Sequence, residues 1–250
     1  MYSVYSTYQN NTISNCYIIN NRCGGNGGGI YMAVADQHKI LSCVITGNVA
    51  NDTGGGLCLT TTGIDVRDCV ITGNRSTNGP AGGIYGANMN LRNSLIADNM
   101  ANTNGGGAYI VADSTLANCT IAGNSSAVGS GGGLYQGGSV FGTNNIVYHN
   151  TAADAPNFTN TAGNSGLDYS CVTPAVDGIS NIISDPAFVS VNGGNYRLTA
   201  RSPCFNTGTN QDWMTNTFDL DARARILYNY VDMGCYEYRL PPAGTLFMSH

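Results

Sequence analysis

Charged residues are scarce in this chain of 250 residues. They make up 10% of the sequence, with a single lysine, Lys39, and a single glutamate, Glu237. The net charge of −5 gives no basic surface for the phosphates of a nucleic acid, which argues against such a partner. Glycine is abundant instead, with 34 residues. Because strong helix formers are few, we expect short strands and turns.

Long apolar runs are also missing, and no stretch of about 18 apolar residues exists to cross a bilayer as a helix. The opening residues, 1–5, lack the basic start and apolar stretch of a secretory signal. They already have the composition of a strand. We therefore expect the chain to be a segment of a longer protein, whose leader and first repeats lie elsewhere.

A tandem repeat dominates the first 150 residues. Its first marker is a glycine pair or triplet. A second marker keeps the same step: a residue that is usually cysteine follows a small polar residue, and an asparagine comes five residues after it. Two markers with a common step identify a repeat protein. The glycines precede Ile30, Leu57, Ile84, Ala108 and Leu134, which lie 24 to 27 residues apart. The asparagines are Asn21, Asn48, Asn74, Asn99, Asn124 and Asn150.

Each repeat has the pattern of three short strands, with no room for a helix between them. This predicts an all-β fold: a parallel β-helix, right-handed because parallel crossovers favour that hand. We expect about six coils over residues 1–156, an irregular β-rich cap over 157–240 that covers the end of the solenoid, and a linker or tail over 241–250. Alternation places Cys43 and Ile45 on the inner side of a strand.

Equal positions of stacked coils should form ladders, because such coils lie about 4.8 Å apart. The asparagines can then pass side-chain hydrogen bonds from coil to coil, and the glycines allow sharp corners. Four of the nine cysteines share one repeat position and are expected to form a buried stack of thiols: Cys16, Cys43, Cys69 and Cys119. For Cys171, Cys204 and Cys235, simple burial and a disulfide between two of them both stay open.

The repeat resembles right-handed parallel β-helix proteins of the pectate-lyase-like superfamily, and in particular the Gly-Gly-x-Ile and x-x-x-Asn repeats of polymorphic outer-membrane proteins. The C-terminal region, with Asp219-Leu220-Asp221 and Val231 to Glu237, is similar to that of secreted bacterial β-helix proteins of the choice-of-anchor Q type. These resemblances imply an extracellular or cell-surface location, with signal and anchor outside this chain. They imply a fold and not an activity.

The best candidate site is a group of basic residues. Arg67 and Arg92 occupy equal positions in adjacent repeats, and Lys39 lies on the same strand one coil earlier. A polysaccharide lyase needs a base and positive charge beside a uronate carboxyl group, which these residues could supply. A sugar-contacting surface and an ordinary solvated face are the alternatives.

Tyrosines follow the glycine corner in four of the five repeats that carry it. If they face outward, they form a column for stacking on sugar rings, or one that packs under a loop. These tyrosines are Tyr31, Tyr85, Tyr109 and Tyr135. Asp219 and Asp221 are the candidates for a Ca²⁺ site, with a hydrogen-bonded clasp involving Arg225 as the alternative; no other cofactor is indicated.

These features favour a secreted or cell-surface bacterial module that binds a polysaccharide or cell-surface glycan, or mediates adhesion, without catalysis. The first alternative is a polysaccharide lyase or glycoside hydrolase with a site at Lys39, Arg67 and Arg92. A hydrolase needs two carboxylates that flank the scissile bond, and no pair in the repeats stacks convincingly. The second alternative is a passive spacer.

Overall fold

The computed structural model describes residues 2–4, 10–33, 37–163 and 166–240. The predicted tail, 241–250, lies outside the described residues. Strands of successive repeats pair in parallel and build a β-solenoid of about six turns. In the described ranges the only helical element is one turn of 3₁₀-helix, Asp212–Met214. The all-β prediction is confirmed.

Three long sheets run the length of the solenoid, and each coil contributes one strand to each. Sheet A, which follows the glycines, contains Tyr2–Val4, Ile30–Met32, Leu57–Leu59, Ile84–Gly86, Ala108–Ile110, Leu134–Gln136 and Phe158–Asn160. Sheet B contains Thr12–Ser14, Lys39–Leu41, Ile64–Arg67, Met89–Arg92, Ser114–Ala117, Val140–Thr143 and Gly166–Asp168. Sheet C contains Tyr17–Ile19, Val44–Thr46, Val70–Thr72, Leu95–Ala97, Thr120–Ala122, Ile146–Tyr148 and Cys171–Val172.

A fourth sheet, D, was not predicted. Its strands are only two residues long and follow the repeat asparagine, so they are too short for an alternating pattern to reveal. Sheet D contains Arg22–Cys23, Val49–Ala50, Arg75–Ser76, Met100–Ala101 and Ser125–Ser126. The described coils therefore have up to four strands rather than three.

The core lies inside the coils and consists of equal positions stacked in register. On sheet C, Ile45, Ile71, Ile96 and Ile121 are fully buried and follow one another along the axis. Cys43, Cys69 and Cys119 are buried as predicted, whereas Cys16 is exposed, which corrects the prediction for that residue. Each fully buried aliphatic side chain contributes about 1.5–3 kcal/mol relative to exposure.

The asparagine ladder, defined as Asn21, Asn48, Asn74, Asn99, Asn124 and Asn150, forms as predicted. In each step, the backbone N–H and side-chain amide of one asparagine donate to Oδ1 of the asparagine one coil further along. Asn157 continues the ladder beyond the repeats, since its Oδ1 accepts from Asn150 at 3.0 Å. The ladder satisfies buried polar groups at a bend of every coil.

The glycines serve two purposes at the corner. The first of a triplet, such as Gly54 with φ 70°, has left-handed backbone, although Ala81 with φ 61° takes this position in the next coil. At the second, Gly55, an added Cβ would collide with the backbone of Arg75 and Gly82. Close approach of neighbouring coils therefore demands glycine most strongly at the second position.

The solenoid continues past residue 156, where the sequence placed its end. Strands Phe158–Asn160, Gly166–Asp168 and Cys171–Val172 add a further coil to sheets A, B and C. A short stretch then covers the end: Val176 packs on the core, and the backbone of Ile182 pairs with Cys171. The cap is thus smaller than predicted.

The rest of the C-terminal region lies along the side of the solenoid. It contains an antiparallel hairpin, Phe188–Ser190 and Asn195–Leu198, and then the flank segment, defined as residues 199–238. The prediction that all of 157–240 covers the end is wrong. The reason is that the turns between sheets B and C carry asparagines whose amides bind this segment, as described next.

Asn93, Asn118 and Asn144 hold the flank segment. They occupy equal positions in three successive coils, in left-handed backbone with φ of 46°, 51° and 59°. Asn144 Nδ2 donates to the carbonyl of Thr209 at 2.8 Å, and Asn93 Nδ2 donates to the carbonyl of Phe218 at 2.9 Å. Asn118 Nδ2 donates to the carbonyl of Asp232, later in the same segment, at 3.1 Å. From Thr209 to Phe218 the flank segment therefore runs back toward earlier repeats, and by Gly234, whose N–H donates to the carbonyl of Asn144 at 2.7 Å, it has returned.

Candidate functional site

An open groove lies between the outer face of sheet B and the flank segment. Its main cavity has a volume of about 540 Å³. One wall is the sheet, with Arg67 and Arg92 pointing outward, and the other is the flank segment, with Trp213 and Phe218. The cavity is lined in addition by Ser42, Asp68, Asn93, Asn216, Thr217, Asp219, Leu220 and Ala222.

Arg67 and Arg92 lie side by side because the strands that carry them pair residue for residue. Both guanidinium groups share one carboxylate, Asp65, at 3.5 Å and 3.6 Å. The atom of Arg67 that lies 3.5 Å from Asp65 is Nε, whereas Nε of Arg92 is shielded from solvent and donates to no acceptor in the part of the chain that the structure describes. The two guanidinium groups therefore lie among the carboxylates of Asp65, Asp68 and Asp219, and the site carries charges of both signs.

Trp213 covers Arg92, with the guanidinium carbon 5.4 Å from the centroid of the indole ring. Its Nε1–H donates to Oε1 of Gln211 at 2.5 Å, which fixes the ring. A second cavity of about 370 Å³ continues the groove beyond the Trp213 ring, over Phe141 and Thr115. Phe141 is 55% exposed although it is a large apolar side chain. The groove therefore extends over several coils of sheet B, with Trp213 near its middle.

Lys39 is on the same sheet but not in the cavity. Its strand pairs so that Lys39 is next to Asp65, two residues away from the row of Arg67 and Arg92. The side chain is exposed. The structure therefore brings together Arg67 and Arg92, and leaves Lys39 at the margin of the outer face.

The tyrosine column forms on sheet A, a different face from the groove. The rings of Tyr85 and Tyr109 stack with centroids 5.5 Å apart, and those of Tyr109 and Tyr135 with centroids 4.6 Å apart. Burial raises the pKa of Tyr109. Tyr31 stands apart from the three stacked rings, because Cys58 occupies the coil between Tyr31 and Tyr85. Since the three rings cover each other's faces, a sugar has access mainly to their edges.

Asp219 and Asp221, the Ca²⁺ candidates, both bind protein groups. Asp219 Oδ1 accepts the N–H groups of Asp221 and Arg223, and its Oδ2 accepts the N–H of Glu237 at 2.7 Å. Asp221 forms a two-point ion pair with Arg197 at 2.6 Å and 2.7 Å, and this pairing lowers the pKa of the Asp221 carboxyl. In the described ranges no group of three or more His, Cys, Asp or Glu side chains is placed to hold a metal ion.

A fully buried ion pair anchors the flank segment. Arg225 Nη2 lies 3.0 Å from Glu237 Oε1 and also donates to the carbonyl of Gly234 at 3.0 Å. Burial raises the pKa of the Glu237 carboxyl, and Arg225 opposes that rise. Asp232 accepts the N–H groups of Asn206 and Tyr238, yet burial raises its pKa to about 6. The clasp predicted around Arg225 therefore uses Glu237, whereas Asp221 pairs with Arg197.

Trp213 and Phe218 were not predicted from the sequence. Both lie in a polar stretch without strand periodicity, so no pattern assigned them to a face of the solenoid. A signal was present nevertheless: Trp213 is the only tryptophan of the chain. A lone tryptophan in an otherwise polar loop is typical of a binding surface.

The chain belongs to the right-handed β-helix family. The family described as "Right handed beta helix region" matches residues 2–171, which extends to the last strand of sheet C. The match agrees with the predicted right-handed sense of the β-helix and with the continuation of the solenoid past residue 156. No curated protein and no solved structure matches the chain. The narrower resemblances, to the outer-membrane repeats and to the choice-of-anchor region, stay predictions.

No helix in the described residues is long and apolar enough to cross a membrane.

Proposed function

We propose that the protein is a secreted or cell-surface module that binds a glycan chain in the groove between sheet B and the flank segment. The observation that carries this proposal is the combination of Arg67, Arg92 and Trp213 in one open cavity of about 540 Å³. An aromatic ring stacks on the apolar face of a sugar, and guanidinium groups donate hydrogen bonds to its oxygens.

The shape of the groove supports an extended ligand. The two cavities lie over successive strands of sheet B, from Ser42 to Asp168. These strands belong to six stacked coils, and at about 4.8 Å per step the groove covers roughly 24 Å. A linear polymer lying along the solenoid axis fits this outline better than a single small molecule, which would occupy one cavity.

The exposed guanidinium groups in the site support a ligand rich in oxygen. The side chains of Arg67 and Arg92 are 43% and 29% exposed, and both face the single carboxylate of Asp65. Each guanidinium group has five N–H donors, more than a shared carboxylate can accept. The exposed N–H groups can therefore donate to the hydroxyl or carboxylate oxygens of a sugar.

Binding to a glycan array, followed by titration with the best ligand, tests the proposal. Trp213→Ala removes a side chain from the flank-segment wall of the groove, and Arg67→Ala removes one from the sheet B wall. Each substitution should weaken glycan binding by about tenfold or more. Tyr109→Ala is the matched control, because it removes an aromatic ring from the outer face of sheet A. Loss of binding in the control alone would move the site to the tyrosine column. An array without any bound glycan would favour the passive spacer.

A polysaccharide lyase is the second candidate, because two adjacent guanidinium groups facing an open groove suit the charge that develops on a uronate carboxyl group. The test is incubation with uronate polymers and measurement of the absorbance of the unsaturated product. An increase that Arg92→Ala removes would establish catalysis. If the absorbance does not increase with any polymer of a broad panel, the result supports glycan binding without catalysis.

A further inference from the structure

The second cavity of the groove differs in chemistry from the first. Arg92 and Trp213 line both cavities and therefore mark the boundary between them. On the first side lie Arg67 and two carboxylates. Beyond the boundary, Asp168 is the one charged side chain besides Arg92 that lines the cavity of about 370 Å³, as far as the described residues show.

The floor of the second cavity is the outer face of sheet B, where small residues flank one aromatic ring. Phe141 pairs with Thr115 in the coil before it and with Gly166 in the coil after it. Neither neighbour covers the ring, and Phe141 is 55% exposed. At Gly166 an added Cβ would meet nothing within 4 Å, so the space beside the ring is open. An uncovered ring next to open space suits the apolar face of a sugar.

Polar groups border this ring in the adjacent outward row. Thr143 and Asp168 lie next to each other there, because their strands pair in register. The backbone N–H of Ile179 donates to Oδ1 of Asp168 at 2.7 Å, which holds the carboxylate in place. A carboxylate accepts several hydrogen bonds, so Asp168 retains capacity for the hydroxyl groups of a sugar. An apolar floor with a few fixed polar groups is typical of a site for a small ligand or one unit of a polymer.

The same carboxylate disfavours an acidic sugar. A uronate in this cavity would bring its own carboxylate close to that of Asp168, and like charges at short distance repel. Arg92 stands at the boundary, but it already faces Asp65 at 3.6 Å. In the part of the chain that the structure describes, no other basic side chain lines this cavity. The cavity can therefore select by charge as well as by shape.

We propose that the second cavity is a subsite for an uncharged sugar residue of the bound glycan. Phe141 is its stacking platform, and Asp168 is the residue that binds hydroxyl groups and rejects a uronate. The proposal rests on the glycan binding proposed for the groove, and it adds the chemical class of one position in the polymer. A polymer with a carboxylate on every sugar should therefore bind less well than one that contains neutral sugars.

A panel of hexasaccharides tests this selection. Backbones of glucose, mannose and galactose are each prepared as the neutral form, as a form oxidised to the uronate at every second residue, and as a form oxidised at every residue. For each backbone that binds, the fully oxidised form should bind at least about tenfold more weakly than the tighter of the other two. The reason is that only the other two can place a neutral sugar over Phe141.

Asp168→Asn removes the charge and keeps Oδ1 as the acceptor for the N–H of Ile179. It should reduce the difference between the forms to about threefold or less, because the fully oxidised form binds more tightly. Asp52→Asn is the matched control for the change in net charge. Asp52 is exposed in the turn between sheets D and A, and its substitution should leave the difference unchanged.

Two variants test the subsite itself. Phe141→Ala removes the platform, and Gly166→Leu fills the cavity without removing any contact of the protein. Each should weaken the tightest-binding hexasaccharide by about tenfold. Both positions face outward on sheet B, and circular dichroism checks that each variant retains its β structure.

The results separate the subsite from glycan binding as such. Binding that Arg67→Ala weakens, but that Phe141→Ala and Gly166→Leu leave unchanged, would overturn the subsite while glycan binding stands. A fully oxidised form that binds as tightly as the others, with no response to Asp168→Asn, would overturn the selection by charge. If the array shows a bound glycan but no hexasaccharide binds, the subsite is overturned alone; if neither binds, both proposals are overturned.

Discussion

Replacing Asn99 with alanine removes one member from the middle of the asparagine ladder. Its Oδ1 accepts the backbone N–H and the side-chain amide of Asn74, both at 3.0 Å. Its Nδ2 donates to the carbonyl of Ile71 at 2.9 Å and to Oδ1 of Asn124 at 3.0 Å. All these atoms are buried, so water cannot replace the lost side chain.

The expected cost follows from the groups left behind. The Asn74 backbone N–H loses its side-chain acceptor, and an unsatisfied buried donor costs about 1–3 kcal/mol. The side-chain amide of Asn74 keeps its bond to the carbonyl of Ile45, and Oδ1 of Asn124 keeps the backbone N–H of residue 99. The other lost hydrogen bonds add about 1 kcal/mol. We therefore expect a decrease of about 3 kcal/mol in the free energy of unfolding.

Denaturant unfolding measures this change, with the slope compared between proteins to check that the same surface unfolds. Asn78→Ala is the matched control. Asn78 is exposed one repeat earlier, and its side chain makes one hydrogen bond, to Oδ1 of Asn51 at 2.8 Å. This control should cost less than about 0.5 kcal/mol. Equal effects of the two substitutions would refute the role of the ladder.

Two further predictions concern the flank segment. Arg225→Ala should lower the free energy of unfolding by about 3–5 kcal/mol, because it leaves Glu237 buried without a counter-charge. The double variant Arg225→Met/Glu237→Gln should recover most of this loss; equal protease susceptibility of the single and double variants would contradict this account. The pKa of Asp232 is raised from 3.8 to about 6 in the folded state. Its contribution to stability is therefore full below pH 4 and lost as the pH rises through 6, by up to roughly 3 kcal/mol. Asp232→Asn should flatten this pH dependence in denaturant titrations, and an unchanged slope would contradict the assignment.

The period of the repeat determines much of the fold. The markers at Cys43 and Asn48 recur with a constant step, and a stacked solenoid is the arrangement that brings such positions together. Alternation around Cys43 and Ile45 correctly assigned the inner face of sheet C. The pairing of Arg67 with Arg92 followed from the same register. These predictions succeeded because each depends on neighbouring coils only.

The groove could not be predicted in this way. Its second wall comes from Trp213, which lies far along the chain from Arg92 and reaches it through contacts of the flank segment with Asn93, Asn118 and Asn144. Nothing in the period of the repeat indicates that these asparagines bind another part of the chain. The sequence pattern also cannot distinguish tyrosines that stack on each other from tyrosines with free faces.

Fluorescence of Trp213 during titration with the best glycan from the array tests the central claim most directly. Trp213 is the only tryptophan, so its emission reports on the groove alone. A bound glycan should shift and saturate the emission, and Arg67→Ala should move the midpoint to about tenfold higher glycan concentration. Binding of the glycan, measured independently by calorimetry, with no change in Trp213 emission would contradict the placement of the site.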